Sequence, residues 1–152
     1  MFKDVTALDI DQWSDKKEAC YLLPVLIRKF VTATGRITNF DFPGHENVQR
    51  KGFDGEVEAE SATIGIPKGK SVWELSTQKN SLEKFKEDYN YRTKTISKEE
   101  RENLTFVLLT SRNFPSKNKW VKEKQKEGEW KEVGPVLRMR VFGTFGLKIV
   151  SI

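Results

Sequence analysis

The chain has little sulfur and little imidazole: one cysteine, Cys20, and one histidine, His45, in 152 residues. A single thiol excludes a disulfide within the chain and suits a reducing, cytoplasmic setting. One Cys and one His cannot supply the usual ligand set of a zinc site. A Ser-His-Asp hydrolase would have to use His45, which sits in a Pro/Gly loop without a supporting motif. Long apolar runs are lacking too. None approaches the roughly 20 residues that span a bilayer, so no membrane partner is expected. The opening MFKDVTALDIDQW carries acids where a secretory signal would be apolar. There is no phosphate-binding GxxxxGK[ST] loop, no internal repeat and no low-complexity stretch.

What is present suits one domain with a real core: 37% hydrophobic and 32% charged residues. Lys and Arg outnumber Asp and Glu by 27 to 22, a net charge of +5 and a pI near 9.3. A basic balance suits nucleic acid or another polyanion. It is equally the ordinary charge of a soluble surface.

The first segment, through Trp13, reads as an extended lead-in. Ser14 reads as a helix N-cap with Asp15 and Glu18 in the first turn, and Pro24 as a break that starts a new helix. Leu22, Leu23, Leu26, Ile27, Phe30 and Val31 then recur at helical spacing up to Gly35. Ile37 to Phe42 reads as a strand ending at Pro43-Gly44, followed by a loop with His45 and Asn47. Two further strands flank a Gly/Pro/Lys turn from Gly65 to Lys70. Asn80 or Ser81 caps a helix reaching about Thr93, and Ser97 to Glu102 is a short helical turn. Leu104 to Thr110 is apolar throughout, the mark of a strand buried on both faces. Ser116 to Gln125 reads as a polar helix anchored by Trp120 and Val121, and a strand starts between Trp130 and Val133. The order α, β, β, β, α, β, α, β makes an α/β sandwich with a mixed sheet.

The stretch GFDGEVEAESATIGIPKGKSVWELSTQK, Gly52 to Lys79, organises the rest. If its two runs pair as a hairpin about Gly65, opposed residues have numbers of constant sum, and Asp54 meets Glu74. Side chains alternate along a strand. Asp54, Glu56, Glu58 and Glu60 therefore share one face and Val57 and Ala59 the other. On the second run Glu74, Ser76 and Gln78 oppose Trp73 and Leu75. Two facing carboxylates need a cation, or one of them stays protonated. Mg²⁺ suits such a pair, taking one or two carboxylates with water and phosphate oxygens.

An Asp, a hairpin, a Glu and a nearby Lys in that order resemble the PD-(D/E)xK superfamily of restriction-endonuclease-like nucleases. The run GFDG, VWELSTQK, DYNYR (Asp88 to Arg92), TFVLLTSRNFP and Trp120 resembles one branch of it, the N-terminal nuclease domains of large bacterial antiphage NTPase proteins. The resemblance spans Val5 to Val133. It implies a three-layer α/β sandwich around a central mixed sheet, and a metal-dependent DNA endonuclease acting in antiphage defence. Asp54 and Glu74 would hold Mg²⁺ or Mn²⁺, with Glu58 on the same face as a further ligand. The motif lysine, two residues after the second acid, is here Ser76. Lys79 is the expected replacement, its ammonium close to both acids, and Gln78 has the parity to reach water on the metal. Glu18 matches the helix acid that some relatives bring to the metal, or is a plain surface residue.

DNA is the expected partner, with Arg92, Lys84 and Arg112 as candidate phosphate contacts. Lys84 has a plainer reading as a solvated charge and Arg112 as a structural ion pair, whereas Arg92 lies on the helix face closest to the hairpin. A separate chain of this size is expected to need an NTPase or sensor region, a partner protein or a second copy of itself, or to be a piece of a longer protein. The resemblance stops at residue 133. Residues 134–152, acid-free with Arg138, Arg140 and Lys148, read as an atypical tail: a hairpin around Gly143 to Gly146, or an altered end. A non-catalytic module of the same fold, binding nucleic acid or protein, remains the alternative that Ser76 leaves open.

Overall fold

A computed structural model describes residues 6–34, 36–43, 52–63, 65–113, 117–141 and 147–151. The elements are α1 (Ala7–Ser14), α2 (Ala19–Thr34), β1 (Ile37–Asp41), β2 (Gly55–Ala59), β3 (Gly69–Ser76), α3 (Ser81–Thr95), α4 (Lys98–Arg101), β4 (Thr105–Thr110), α5 (Lys117–Glu127), β5 (Glu132–Val141) and β6 (Leu147–Ser151). The six strands form one sheet in sequence order. β1, β2 and β3 are antiparallel neighbours, β3, β4 and β5 are parallel, and β6 returns antiparallel on β5. The parallel pairs are joined by helical crossovers, as parallel pairing demands.

Two cores lie on opposite faces of this sheet. Under α2, Leu23, Ile27 and Val31 pack on Val57, Trp73, Leu75, Val107, Leu109 and Leu137. Beneath α3 and α5, Phe85, Tyr89 and Trp120 pack on Val72, Phe106, Leu108, Trp130 and Val136. The chain is thus an α/β protein with helices on both faces of a mixed sheet. β4 is buried at every position because it has a core on each side.

The hairpin takes the expected register. Gly55 faces Trp73, Glu56 faces Val72 and Glu58 faces Lys70, each pair summing to 128. Gly55, Val57 and Ala59 are buried while Glu56 and Glu58 are exposed. β3 departs from a half-exposed hairpin: Ser71 to Ser76 are all buried, because α3 covers the face opposite α2. Gly55 is needed where it stands. A Cβ there would sit inside the ring edge of Phe42, which packs edge-on against Trp73.

Several local expectations are overturned. The lead-in is not extended. Residues 7–14 form α1, because Thr6 and Asp9 close a capping box, with the Thr6 hydroxyl accepting from the Asp9 N–H and the Asp9 carboxylate from the Thr6 N–H. Ser14 ends that helix instead of starting one. Its hydroxyl is buried against Ser111, 2.6 Å away. Pro24 lies inside α2; the ring removes one helical hydrogen bond, and the buried stripe Leu23, Ile27, Val31 continues past it. Leu22 is turned out of that stripe and exposed.

The boundary at residue 133 falls within β5, whose Val136, Leu137 and Met139 enter the two cores. Residues 137–141 and 147–151 pair as antiparallel neighbours in the sheet. The loop with His45 and Asn47, Gly35, and the turn Gly143 to Gly146 lie outside the described residues. Among the described residues no helix is long and apolar enough to cross a membrane.

Candidate functional site

The register that opposes Gly55 to Trp73 brings Asp54, the residue before β2, beside Glu74 of β3. The Asp54 carboxylate is held there by the backbone, accepting the Leu75 N–H at 2.8 Å. Glu74 is almost wholly enclosed, with 1% of its side chain exposed, whereas Asp54 is one-third exposed. Burial, and then the negative charges of Asp54 and Asp88, push the Glu74 carboxyl up to about 9. An arginine opposes this: Arg92 Nε donates to Glu74 Oε1 at 2.8 Å.

The cations around the pair come from α3. Asn80 caps the helix, its Oδ1 accepting the Glu83 N–H, and Phe85 and Tyr89 turn into the core. Lys84 and Arg92 are thereby carried to the C-terminal end of β3, where the acids meet. Lys84 Nζ lies 3.7 Å from Asp54 Oδ2 and 2.5 Å from Asp88 Oδ2, with only a quarter of its side chain exposed. Burial alone would lower the Lys84 pKa, but Asp54 and Asp88 outweigh it, and the net shift is upward. The Arg92 guanidinium also donates to the Gly52 carbonyl and stacks 4.8 Å from the Phe53 ring centroid.

No family model, curated protein or solved structure matches this chain. The site therefore has to be judged on its own geometry.

Lys79 is not the cation of this site. Its side chain is 79% exposed and its ammonium lies 3.9 Å from Asp15 Oδ1. It stands before the N-cap, in the turn that swings toward the end of α1, and Lys84 in the helix's first turn faces the acids instead. Glu58 is not with the acids either. It is four residues along β2 from Asp54, roughly 13 Å at strand rise, and opposes Lys70.

Ser76 is buried, its Oγ accepting the Gln78 N–H at 3.2 Å and contacting the Ser81 hydroxyl at 3.4 Å. Ser81 in turn meets Thr110 at 2.9 Å. The place of the motif lysine is thus occupied by a hydroxyl cluster that ties β3, α3 and β4 together. Gln78 is exposed and lines the cleft beside Asp54. Glu18 is exposed in the connection between α1 and α2.

The two arginines proposed as phosphate contacts both have structural partners. Arg92 is engaged as described above. Arg112 is buried, donating to the Thr77 and Asp11 carbonyls at 2.8 and 3.1 Å and to Asp15 at 2.7 Å. This is the ion-pair reading of Arg112.

Asp88 is the residue that sequence reasoning passed over. Among so many charges it reads as solvated, but its spacing of four from Lys84 puts both on one helical face. Among the described residues no group of three or more His, Cys, Asp or Glu side chains converges as a metal cage. Mg²⁺ does not require one, since it is bound through one or two carboxylates with waters and substrate phosphates. Asp54 and Glu74 suit that mode. They are two hard oxygen donors side by side, with the Glu74 carboxyl pushed up to about 9, chiefly by burial, and Asp54 opening onto a cleft.

Proposed function

We propose that the chain is a divalent-metal-dependent DNA endonuclease domain of the restriction-endonuclease-like kind, acting in antiphage defence in the cytoplasm. The observation that carries this reading is the meeting of Asp54 and Glu74, with a carboxyl pushed up to about 9 where they touch. Strongly perturbed carboxyls facing a cleft cluster at functional sites. The defence role and the cellular setting rest on the sequence resemblance and the single cysteine alone.

Asp54 and Glu74 would hold Mg²⁺ or Mn²⁺ jointly. A cation bound there supplies Lewis-acid stabilisation to a phosphoryl group under attack. Lys84 is the ammonium that lies beside the acids, positioned by Asp88, and it balances charge on a phosphate brought to Asp54. Arg92 holds the Glu74 carboxyl through Oε1, and would keep it turned toward Asp54 when a metal binds.

One observation favours the second reading, a non-catalytic module of the same fold. Arg92 and Lys84 already supply two positive charges to the acids, and position 76 is a buried serine. A single experiment separates the two. Supercoiled plasmid is incubated with the chain and Mg²⁺ or Mn²⁺, beside Asp54→Asn and Lys84→Ala proteins. Metal-dependent nicking by the unaltered chain, lost in Asp54→Asn, supports the enzyme. Intact plasmid at every metal concentration, from a chain that still binds DNA, favours the module.

A further inference from the structure

A cleft of about 420 Å³ opens between the start of α2 and the C-terminal end of β3, with Asp54 in its wall. Its chemistry is divided. Leu23, Pro24, Leu75 and Phe53 line its apolar side. Lys16 and Lys17, both exposed in the connection from α1 to α2, stand at the rim, and Lys84 stands beside Asp54. A ligand that was only an anion would not call for the apolar wall. A purely apolar ligand would not suit three lysines.

We propose that this cleft takes an unpaired nucleotide of a DNA strand, the base against the apolar wall and the adjoining phosphate on Lys16 and Lys17. A positive groove next to an apolar, partly aromatic surface is the combination that holds single strands. A few hundred cubic ångströms enclose one ligand of nucleotide size. A base within a duplex reaches such a cavity only by giving up its pairing and stacking. The cleft therefore selects single-stranded or locally opened DNA over intact duplex. The inference rests on the proposed nuclease reading only for the phosphate beside Asp54. The seating of the base follows from the cleft itself.

The one thiol of the chain is a probe placed for this purpose. Cys20 is exposed, lines the cleft, and its Sγ lies 3.2 Å from the Lys17 carbonyl. Alkylation of Cys20 by iodoacetamide is timed without divalent metal, with oligothymidylate or with a duplex of equal length, while fluorescence anisotropy reports binding. The single strand is expected to slow alkylation several-fold and the duplex to leave it nearly unchanged. Lys16→Ala/Lys17→Ala should abolish the protection. Cys20→Trp, which fills the cleft from an exposed helix position, should weaken single-strand binding about tenfold, the worth of one stacked base.

Equal protection by duplex overturns the proposal, as does single-strand binding that leaves Cys20 unprotected, or no binding of the single strand at low salt. Protection without any metal-dependent nicking sinks the nuclease reading and leaves the cleft assignment standing. Nicking without protection does the reverse.

Discussion

Arg112 and Arg92 each hold an acid near the C-terminal end of β3, and the two acids respond in opposite directions. Asp15, half exposed, has its pKa lowered, first by the hydrogen bond from Arg112 and then by the charges of Lys79 and Arg112. Glu74 has its pKa raised to about 9 although Arg92 touches it. The difference is not in the arginines. Glu74 is enclosed and shares its surroundings with Asp54 and Asp88, so one guanidinium cannot offset burial and two further negative charges. A satisfied pair is a fastener. An acid whose burial outweighs its arginine is the one to which the proposed cation would be drawn.

The largest expected effect is on turnover. If the proposed function holds, Asp54→Ala and Glu74→Gln should each lower metal-dependent cleavage by roughly 10³-fold or more, since each would remove a donor to the metal that stabilises the transition state. Arg112→Lys, at the fastener, should leave more than a tenth of the activity. Plasmid nicking rates check both, and comparable losses at the two sites would erase the distinction.

Stability should order the two arginines the other way at pH 6. Arg112→Ala leaves the part-buried Thr77 and Asp11 carbonyls without their donor and should cost about 2 kcal/mol. Arg92→Ala should cost about 1 kcal/mol there, because Glu74 can remain protonated when its partner is lost. Urea unfolding of the metal-free proteins measures both. An Arg92→Ala cost equal to or above that of Arg112→Ala would mean that Glu74 is ionised at pH 6.

The pH dependence separates the acids again. Glu74 has a folded pKa raised above its ordinary 4.5, so the folded chain holds a proton that the unfolded chain releases. Its contribution is full below about 4.5 and is lost as pH climbs through about 9. Asp15 has a folded pKa below its ordinary 3.8. Its contribution is present above 3.8 and is lost as pH falls through the lowered value. The metal-free chain should therefore lose melting temperature between pH 5 and 9, and Glu74→Gln should flatten that decline. Mn²⁺ should raise the melting temperature more at pH 8.5 than at pH 6, because it needs the ionised carboxylate. A decline of equal slope in Glu74→Gln would assign the effect to another group.

The smallest effect belongs to Lys79. Lys79→Ala should change stability by less than about 0.5 kcal/mol, as expected for an exposed, long-range pair, and should leave nicking intact. Lys84→Ala, by contrast, should reduce nicking while sparing Mn²⁺ binding seen by calorimetry. Loss of turnover in Lys79→Ala would return the role to the residue nearest the motif.

The sequence alone determined the hairpin, its constant register sum and the meeting of Asp54 with Glu74, because strand alternation and turn position are local properties. It also determined the buried β4, since the run from Leu104 to Thr110 is apolar throughout. The capping box of α1 was equally legible in Thr6 and Asp9, but the acids around it resembled a solvated lead-in. Which lysine serves the acids was decided only by the tertiary structure. Lys79 and Lys84 lie five residues apart on either side of a helix cap, both within reach along the chain. The packing of Phe85 and Tyr89 on Phe106 and Trp120 sets how α3 crosses the sheet, and that crossing turns Lys84 onto Asp54 and leaves Lys79 on Asp15. The cleft belongs to the same class. Its walls come from α2, the residues flanking β2, and the end of β3, and only the folding of α2 against the hairpin gives them a common space.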